Sequence, residues 1–111
     1  MNHTMKLNNA PFEKIKSGNK TIEMRLFDDK RRLLKVGDFI EFTNRENGEV
    51  ILVKIKNLYK FNNFAELYNH FDKVSLGYNK NECANPSDME AYYPQEEQKQ
   101  FGVLAIEISR E

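Results

Sequence analysis

Lys20, Glu23 and Arg25 stand close together in the run Gly18-Asn19-Lys20-Thr21-Ile22-Glu23-Met24-Arg25. Glu23 and Arg25 are two apart, so on a strand both project to one face while Ile22 and Met24 project to the other. On that shared face a carboxylate can accept from the amine edge of a base. A guanidinium offers a planar fork to a phosphate or a base carbonyl. The same two charges can equally neutralise each other across a sheet. Lys20 follows Gly18 at the mouth of the strand. An ammonium there can pair with a phosphate or, when desolvated, act as base or nucleophile. As a plain strand-end lysine it would be solvated, and its replacement would change stability by no more than about 0.5 kcal/mol. A carboxylate beside two cations suits a nucleoside or base better than a phosphate alone, because acceptor and donor are both present.

Other residue types widen the candidate site. Lys30, Arg31, Arg32 and Lys35 form a basic connection just after the strand, with Arg31 and Arg32 as candidate phosphate contacts. Asp28 and Asp29 offset part of that charge, and such a loop can also be only a solvated surface. Tyr92 and Tyr93 precede Pro94. One of them, with Tyr93 as the candidate, can stack on a base, and one or both can instead anchor the last helix in the core. His3 and His70 are isolated, and Cys83 has no identifiable histidine partner. No His, Cys or Asp cluster has metal-ligand spacing, and no glycine-rich loop is present to cradle a triphosphate. No metal and no cofactor are therefore expected.

The elements that would hold these residues can be read along the chain. His3 to Leu7 reads as an opening strand, and Asn9 as the cap of a short helix with Pro11 in its first turn and Gly18 as its left-handed stop. Lys20 to Phe27 alternates as a strand. Val36-Gly37-Asp38 turns into a strand through Phe42, Asn47-Gly48 signals a hairpin, and Val50 to Leu58 returns. Asn63 with Glu66 marks a helix start, and Phe64, Leu67, Tyr68 and Phe71 fall at helical spacing. Val74 to Tyr93 carries no clear period, although Ser87 with Glu90 suggests one short capped turn and Pro94 opens a helix through Gln100. Phe101 to Ile108 has few polar positions, the pattern of a strand buried on both faces. Short strands, one hairpin and helices at the ends predict a small, partly open barrel, α+β but mainly β.

The sequence has 111 residues, which predicts one domain over 1–111. Its 17 basic and 17 acidic side chains give zero formal charge, so any nucleic-acid contact must be local rather than a general coating of duplex. One cysteine cannot form an internal disulfide, which fits a reducing compartment. No apolar run approaches the roughly 20 residues that span a bilayer, and Met1 to Ala10 lacks a signal-like stretch. The expectation is a cytoplasmic protein without a membrane partner, its oligomeric state open and a monomer included.

The pattern Gly18-x-Lys20-x-x-Glu23-x-Arg25, lying between a helix and a strand, resembles the signature of the ASCH family (activating-signal-cointegrator homology). Later segments follow the same order: Lys35-Val36-Gly37-Asp38, then Phe64-Ala65-Glu66-Leu67-Tyr68, then Tyr92-Tyr93-Pro94, an acidic stretch and Phe101-Gly102-Val103-Leu104-Ala105-Ile106. The resemblance implies a PUA-like β-barrel whose cleft is lined by the Gly18–Arg25 segment and binds RNA or a small nucleoside or nucleotide. It also implies an alternative, because some small bacterial members are similar to amidohydrolases of acylated cytidine nucleosides and at least one to a ribonuclease. Their catalytic lysine falls at Lys20, and their catalytic threonine at the position held here by Glu23, with Glu66 and Glu90 as loosely placed candidates for a later glutamate. On that reading Lys20 transfers a proton or attacks, and Glu23 orients it. A protein-interaction domain with a vestigial cleft is the third expectation.

Overall fold

Asn47-Gly48 closes the hairpin on which the sheet is built. The computed structural model describes residues 1–110 and pairs β3 (Phe39–Asn44) antiparallel with β4 (Val50–Phe61) across that turn, with Gly48 at φ 77°. β1 (Asn2–Leu7) lies parallel to β3 on one side. On the other side β4 pairs with β5 (Val103–Arg110), and β5 with β2 (Ile22–Leu26). The strand order is β1-β3-β4-β5-β2, and the five strands curl into a half-barrel, α+β and mainly β. β4 runs three residues past the expected Leu58, to Phe61. Its register slips between Ile55 and Asn57, and an irregularity of that kind bends a strand and sharpens its twist.

β5 is internal, as its composition requires. Leu104, Ile106 and Ile108 enter one apolar cluster with β1, β3, β4 and the helix α1 (Asn9–Ser17). Val103 and Ala105 enter a second cluster on the opposite face, with Ile22, Met24 and Leu26 of β2 and with Phe64 and Leu67 of α2 (Phe64–His70). The sheet is thus covered on both faces.

Local chemistry sets the helix ends. Gly18 takes φ 89° and donates its N–H to the Ile15 carbonyl, the left-handed stop expected of it. The cap of α1 is Asn8 rather than Asn9, whose Oδ1 instead accepts from Asn44 Nδ2 at 2.9 Å. Asn63 Oδ1 accepts from the Glu66 N–H at 2.9 Å, and Glu66 Oε1 reaches back to the Asn62 N–H at 3.4 Å. The segment without a readable period docks by its backbone: the N–H groups of Thr21 and Ile22 both donate to the Ser75 carbonyl at 3.0 Å. A 3₁₀ turn over Pro86–Ala91 follows, capped by Asn85 and not by Ser87, whose N–H is the donor to Asn85 Oδ1. Pro94 then opens α3 (Gln95–Phe101).

Phe71 ends the α2 stripe only half-buried, edge-on to Tyr59 at 5.2 Å and to Phe61 at 6.1 Å. Its truncation to alanine should therefore cost less than the ~3–5 kcal/mol of a fully buried phenylalanine. The denaturant midpoint of Phe71→Ala checks this, and a loss in the full range would mean that the ring seals the second cluster.

Candidate functional site

Strand pairing determines where the charged face of β2 points. Glu23 lies opposite Ile106 and Arg25 opposite Leu104, so both share the sheet face of the cluster that contains α1. β2 is an edge strand, and this face opens at its free side. Glu23 is 4% exposed and Lys20 6%, so Lys20 is not the solvated strand-end lysine of the plainer alternative. Arg25 donates through Nε at 2.9 Å and Nη2 at 2.8 Å to Glu23 Oε2. Lys20 Nζ stands 3.3 Å from Glu23 Oε1 and donates to the Leu76 carbonyl at 3.1 Å. Burial alone would raise the Glu23 pKa, but Lys20 and Arg25 outweigh it and hold the carboxyl below its ordinary value.

The Lys20 stem also fixes a glycine. Gly77 has φ +111°, and a Cβ there would meet Lys20 Cδ at 3.1 Å. No side chain fits between this backbone and the lysine, so the Ser75-Leu76-Gly77 turn lies directly over Lys20. Arg25 reaches across the open side of the half-barrel as well. Its Nη2 donates to the Lys6 carbonyl on β1 at 3.1 Å, and Lys30 Nζ reaches the Thr4 carbonyl at 3.3 Å. β1 and β2 are the two free edges of the sheet; Arg25 bridges them directly, and Lys30 reaches β1 from the connection that follows β2.

Above the triad lies a cleft of about 710 Å³ bordered by α1, the turn over Lys20 and the Pro86–Ala91 turn. Lys20, Glu23 and Arg25 all line it. Arg25 also meets the Tyr93 hydroxyl; burial would lower its pKa, but Glu23 and Tyr93 together hold it above the ordinary value. Three further cations, Lys6, Lys14 and Arg45, border the cleft, together with the carboxylates of Glu82 and Asp88. On the same wall the Tyr68 and Tyr78 hydroxyls are 2.9 Å apart, and Tyr78 donates to Asp88 Oδ2 at 2.7 Å. Burial, then the bonds to Tyr68 and Asp88, push the Tyr78 hydroxyl pKa far up, so it remains a donor.

The structure separates the two adjacent tyrosines. Tyr93 packs its ring nearly parallel to Phe64, with centroids 6.1 Å apart, which suits a core anchor. Burial raises the pKa of its hydroxyl, and Arg25 opposes the rise. Both tyrosines line the cleft, Tyr93 partly buried against Phe64 and Tyr92 62% exposed, so Tyr92 presents the freer ring.

The basic connection does not line this cleft. Arg31 pairs with Asp28 at 3.0 Å, and its Nε is buried without a partner. Arg32 lies over the Phe27 ring at 4.7 Å and faces a different groove. Glu66 serves the start of α2, and Glu90 accepts from Gln95 Nε2 at 3.1 Å, so neither supplies a second carboxylate to Lys20. Sequence reasoning missed Lys6, Lys14 and Arg45. Lys6 alternates with the buried Met5 and Leu7, and Lys14 neighbours the buried Ile15, so their outward direction was readable. Their convergence on one cleft was not, because it depends on β1 pairing with β3.

A curled sheet with a cleft lined by Lys20, Glu23 and Arg25 is the arrangement that the sequence resemblance implied. The ASCH domain family model matches residues 5–111. The chain belongs to the ASCH domain family. Its fold is similar to the crystal structure of the hypothetical protein PH0355, with 33% identity, full coverage of both chains and a TM-score of 0.80. It is also similar to the solution structure of protein PF0455 from Pyrococcus furiosus, at 33% identity and a TM-score of 0.71 over 99% of this chain and 97% of that one. ASCH from Zymomonas mobilis shares the fold at 17% identity and a TM-score of 0.69, over 97% of this chain and 66% of that one. No curated protein matches the sequence. In this ASCH chain no three His, Cys, Asp or Glu residues among the described ones are grouped to hold a metal ion. No helix among them is long and apolar enough to cross a membrane.

Proposed function

We propose that this ASCH chain binds RNA, or a nucleotide-sized ligand, in the cleft above Lys20, Glu23 and Arg25. The observation that carries this reading is the composition of one opening of nucleotide size. Five cations meet three carboxylates there, beside an exposed aromatic ring. Such a wall offers donors to phosphate and base carbonyls, acceptors to base amines, and a π face for stacking. The Arg25 guanidinium and the Lys20 ammonium are the inner donors, and Lys6 and Arg45 at the rim meet phosphate. Glu23 is fully engaged by its two cations, so it positions them. The free acceptor for a base amine is Asp88, held by Tyr78.

Tyr92 gives the direct test. Stacking on an aromatic side chain contributes about 1–3 kcal/mol per base, and an exposed residue contributes little to stability. Tyr92→Ala should weaken binding of single-stranded RNA roughly fivefold or more by fluorescence titration, with an unchanged melting temperature. An unchanged affinity would remove the stacking role.

A second reading, hydrolysis of an acylated nucleoside, is favoured by the buried 3.3 Å contact of Lys20 with Glu23. Incubation with N-acylated cytidine, followed by chromatography, separates the two readings. Product formed by the wild-type chain and lost in Lys20→Met would select the hydrolase.

A further inference from the structure

The Pro86–Ala91 turn is a wall with two sides. Asp88 and Met89 face the cleft, while Pro86, Ser87 and Glu90 face a second groove of about 770 Å³. Three cations, Arg32, Lys60 and Lys99, border this groove against the single carboxylate of Glu90. Two of them are already held in place. Arg32 Cζ and Lys60 Nζ lie 4.7 and 4.8 Å from the Phe27 ring centroid, so they lose less freedom on meeting an anion. Gly102, with φ +75°, keeps the floor bare, since a Cβ there would lie 3.2 Å from the Phe61 carbonyl oxygen.

The groove also holds a buried acceptor. Gln98 is 8% exposed and donates through Nε2 to the Tyr93 carbonyl at 2.8 Å, which fixes the orientation of its amide. Its Oε1 has no partner in the protein, yet it is not sealed from the groove that Gln98 lines. A buried acceptor surrounded by cations is complementary to a hydroxyl donor that sits between anionic groups. The 2′-hydroxyl of a ribose between two phosphates has that arrangement, and deoxyribose lacks it.

We propose that this second groove holds the sugar–phosphate backbone of an RNA strand whose neighbouring base occupies the cleft. Phosphates meet Arg32, Lys60 and Lys99, and a ribose 2′-hydroxyl donates to Gln98 Oε1. The proposal rests on the RNA reading above and narrows it: the ligand is a strand rather than a free nucleotide, and the Pro86–Ala91 turn is the ridge over which it passes.

The test compares nucleoside monophosphates, a mixed-sequence single-stranded RNA of about eight nucleotides, and DNA of the same sequence. Each is titrated against the wild-type chain and the triple variant Arg32→Gln, Lys60→Gln, Lys99→Gln. These three side chains are exposed, and glutamine retains part of each stem. The wild type should bind the RNA strand at least about tenfold tighter than any monophosphate, and tighter than the DNA. The triple variant should lose that chain-length gain, keep its monophosphate affinity, and show a salt slope shallower by roughly 2, three phosphates at about 0.7 each. Lys99→Glu alone should weaken strand binding if the triple variant melts early. A strand bound no tighter than a monophosphate, or no weaker by the variants, overturns the second groove and leaves the cleft standing. Equal affinity for RNA and DNA overturns the role of Gln98. Binding of neither monophosphate nor strand overturns the RNA reading itself, and the groove with it.

Discussion

Glu23→Gln should lower the unfolding free energy by about 3–5 kcal/mol, since removing one partner of a buried ion pair leaves an uncompensated charge. Here two are left. Lys20 and Arg25 both lie against Glu23 and are themselves largely buried, with side chains 7% and 12% exposed. The glutamine keeps the volume, so a cavity contributes little and the loss reports charge. Removing one cation as well should recover part of it. The double variant Glu23→Gln with Lys20→Met should be more stable than the sum of the two single losses predicts, a coupling read directly by a double-mutant cycle.

The pH dependence follows from the direction of the Glu23 shift. Its carboxyl is held below the ordinary value in the folded chain, so the unfolded chain binds the proton more readily. The stabilisation is complete above the unfolded carboxylate range, near pH 4.3, and is lost as the pH falls through the lower folded value. Glu23→Gln cannot titrate there. The gap between wild type and variant should therefore be widest near neutrality and close in acid. A gap that stays constant down to pH 2 would mean that folding does not lower the Glu23 pKa.

Lys20→Met has the second large effect, and it acts on two observables. Methionine retains the stem that Gly77 accommodates but leaves the Leu76 carbonyl without its donor and Glu23 with one cation instead of two. Each unsatisfied buried group costs about 1–3 kcal/mol, well above the ~0.5 kcal/mol of a solvated strand-end lysine. RNA affinity should fall tenfold or more, equivalent to about 1.4 kcal/mol, because a charge-assisted donor leaves the cleft. A melting curve and a binding titration on the same variant give both numbers. A large stability loss with unchanged affinity would make Lys20 purely structural and remove the centre of the proposed cleft. In a hydrolase, turnover would fall about a hundredfold or more.

Local rules in the sequence account for much of the frame. Gly18 stops α1, Asn63 caps α2, Asn47-Gly48 turns the hairpin, and the apolar run of β5 is buried on both faces. Each depends on neighbours within a few residues or on a period of two. The shared face of Glu23 and Arg25 was legible for the same reason. The burial of Lys20 was not, since its acceptor, the Leu76 carbonyl, is 56 residues away. Asp88 reaches the cleft through Tyr78 in a segment where turns and caps replace periodicity. Tyr92 and Tyr93 are chemically identical neighbours, and only the stacking of Tyr93 on Phe64 separates a core ring from a free one. The basic run at 30–35 lies away from Lys20, with Arg31 on Asp28 and Arg32 over Phe27 at the second groove, a placement that proximity along the chain does not reveal.

The bridge between β1 and β2 bears on how the chain behaves at high concentration. A half-barrel leaves two sheet edges, and a free edge is a template on which another molecule can add a strand. The outward carbonyls of Thr4 and Lys6 accept from Lys30 and Arg25 rather than from a strand. An incoming strand would have to displace both side chains and bury their charges. Lys30 and Arg25 thus guard against intermolecular sheet growth; Lys30 is exposed, and its loss would be felt first as aggregation of folded protein rather than as a lower melting temperature.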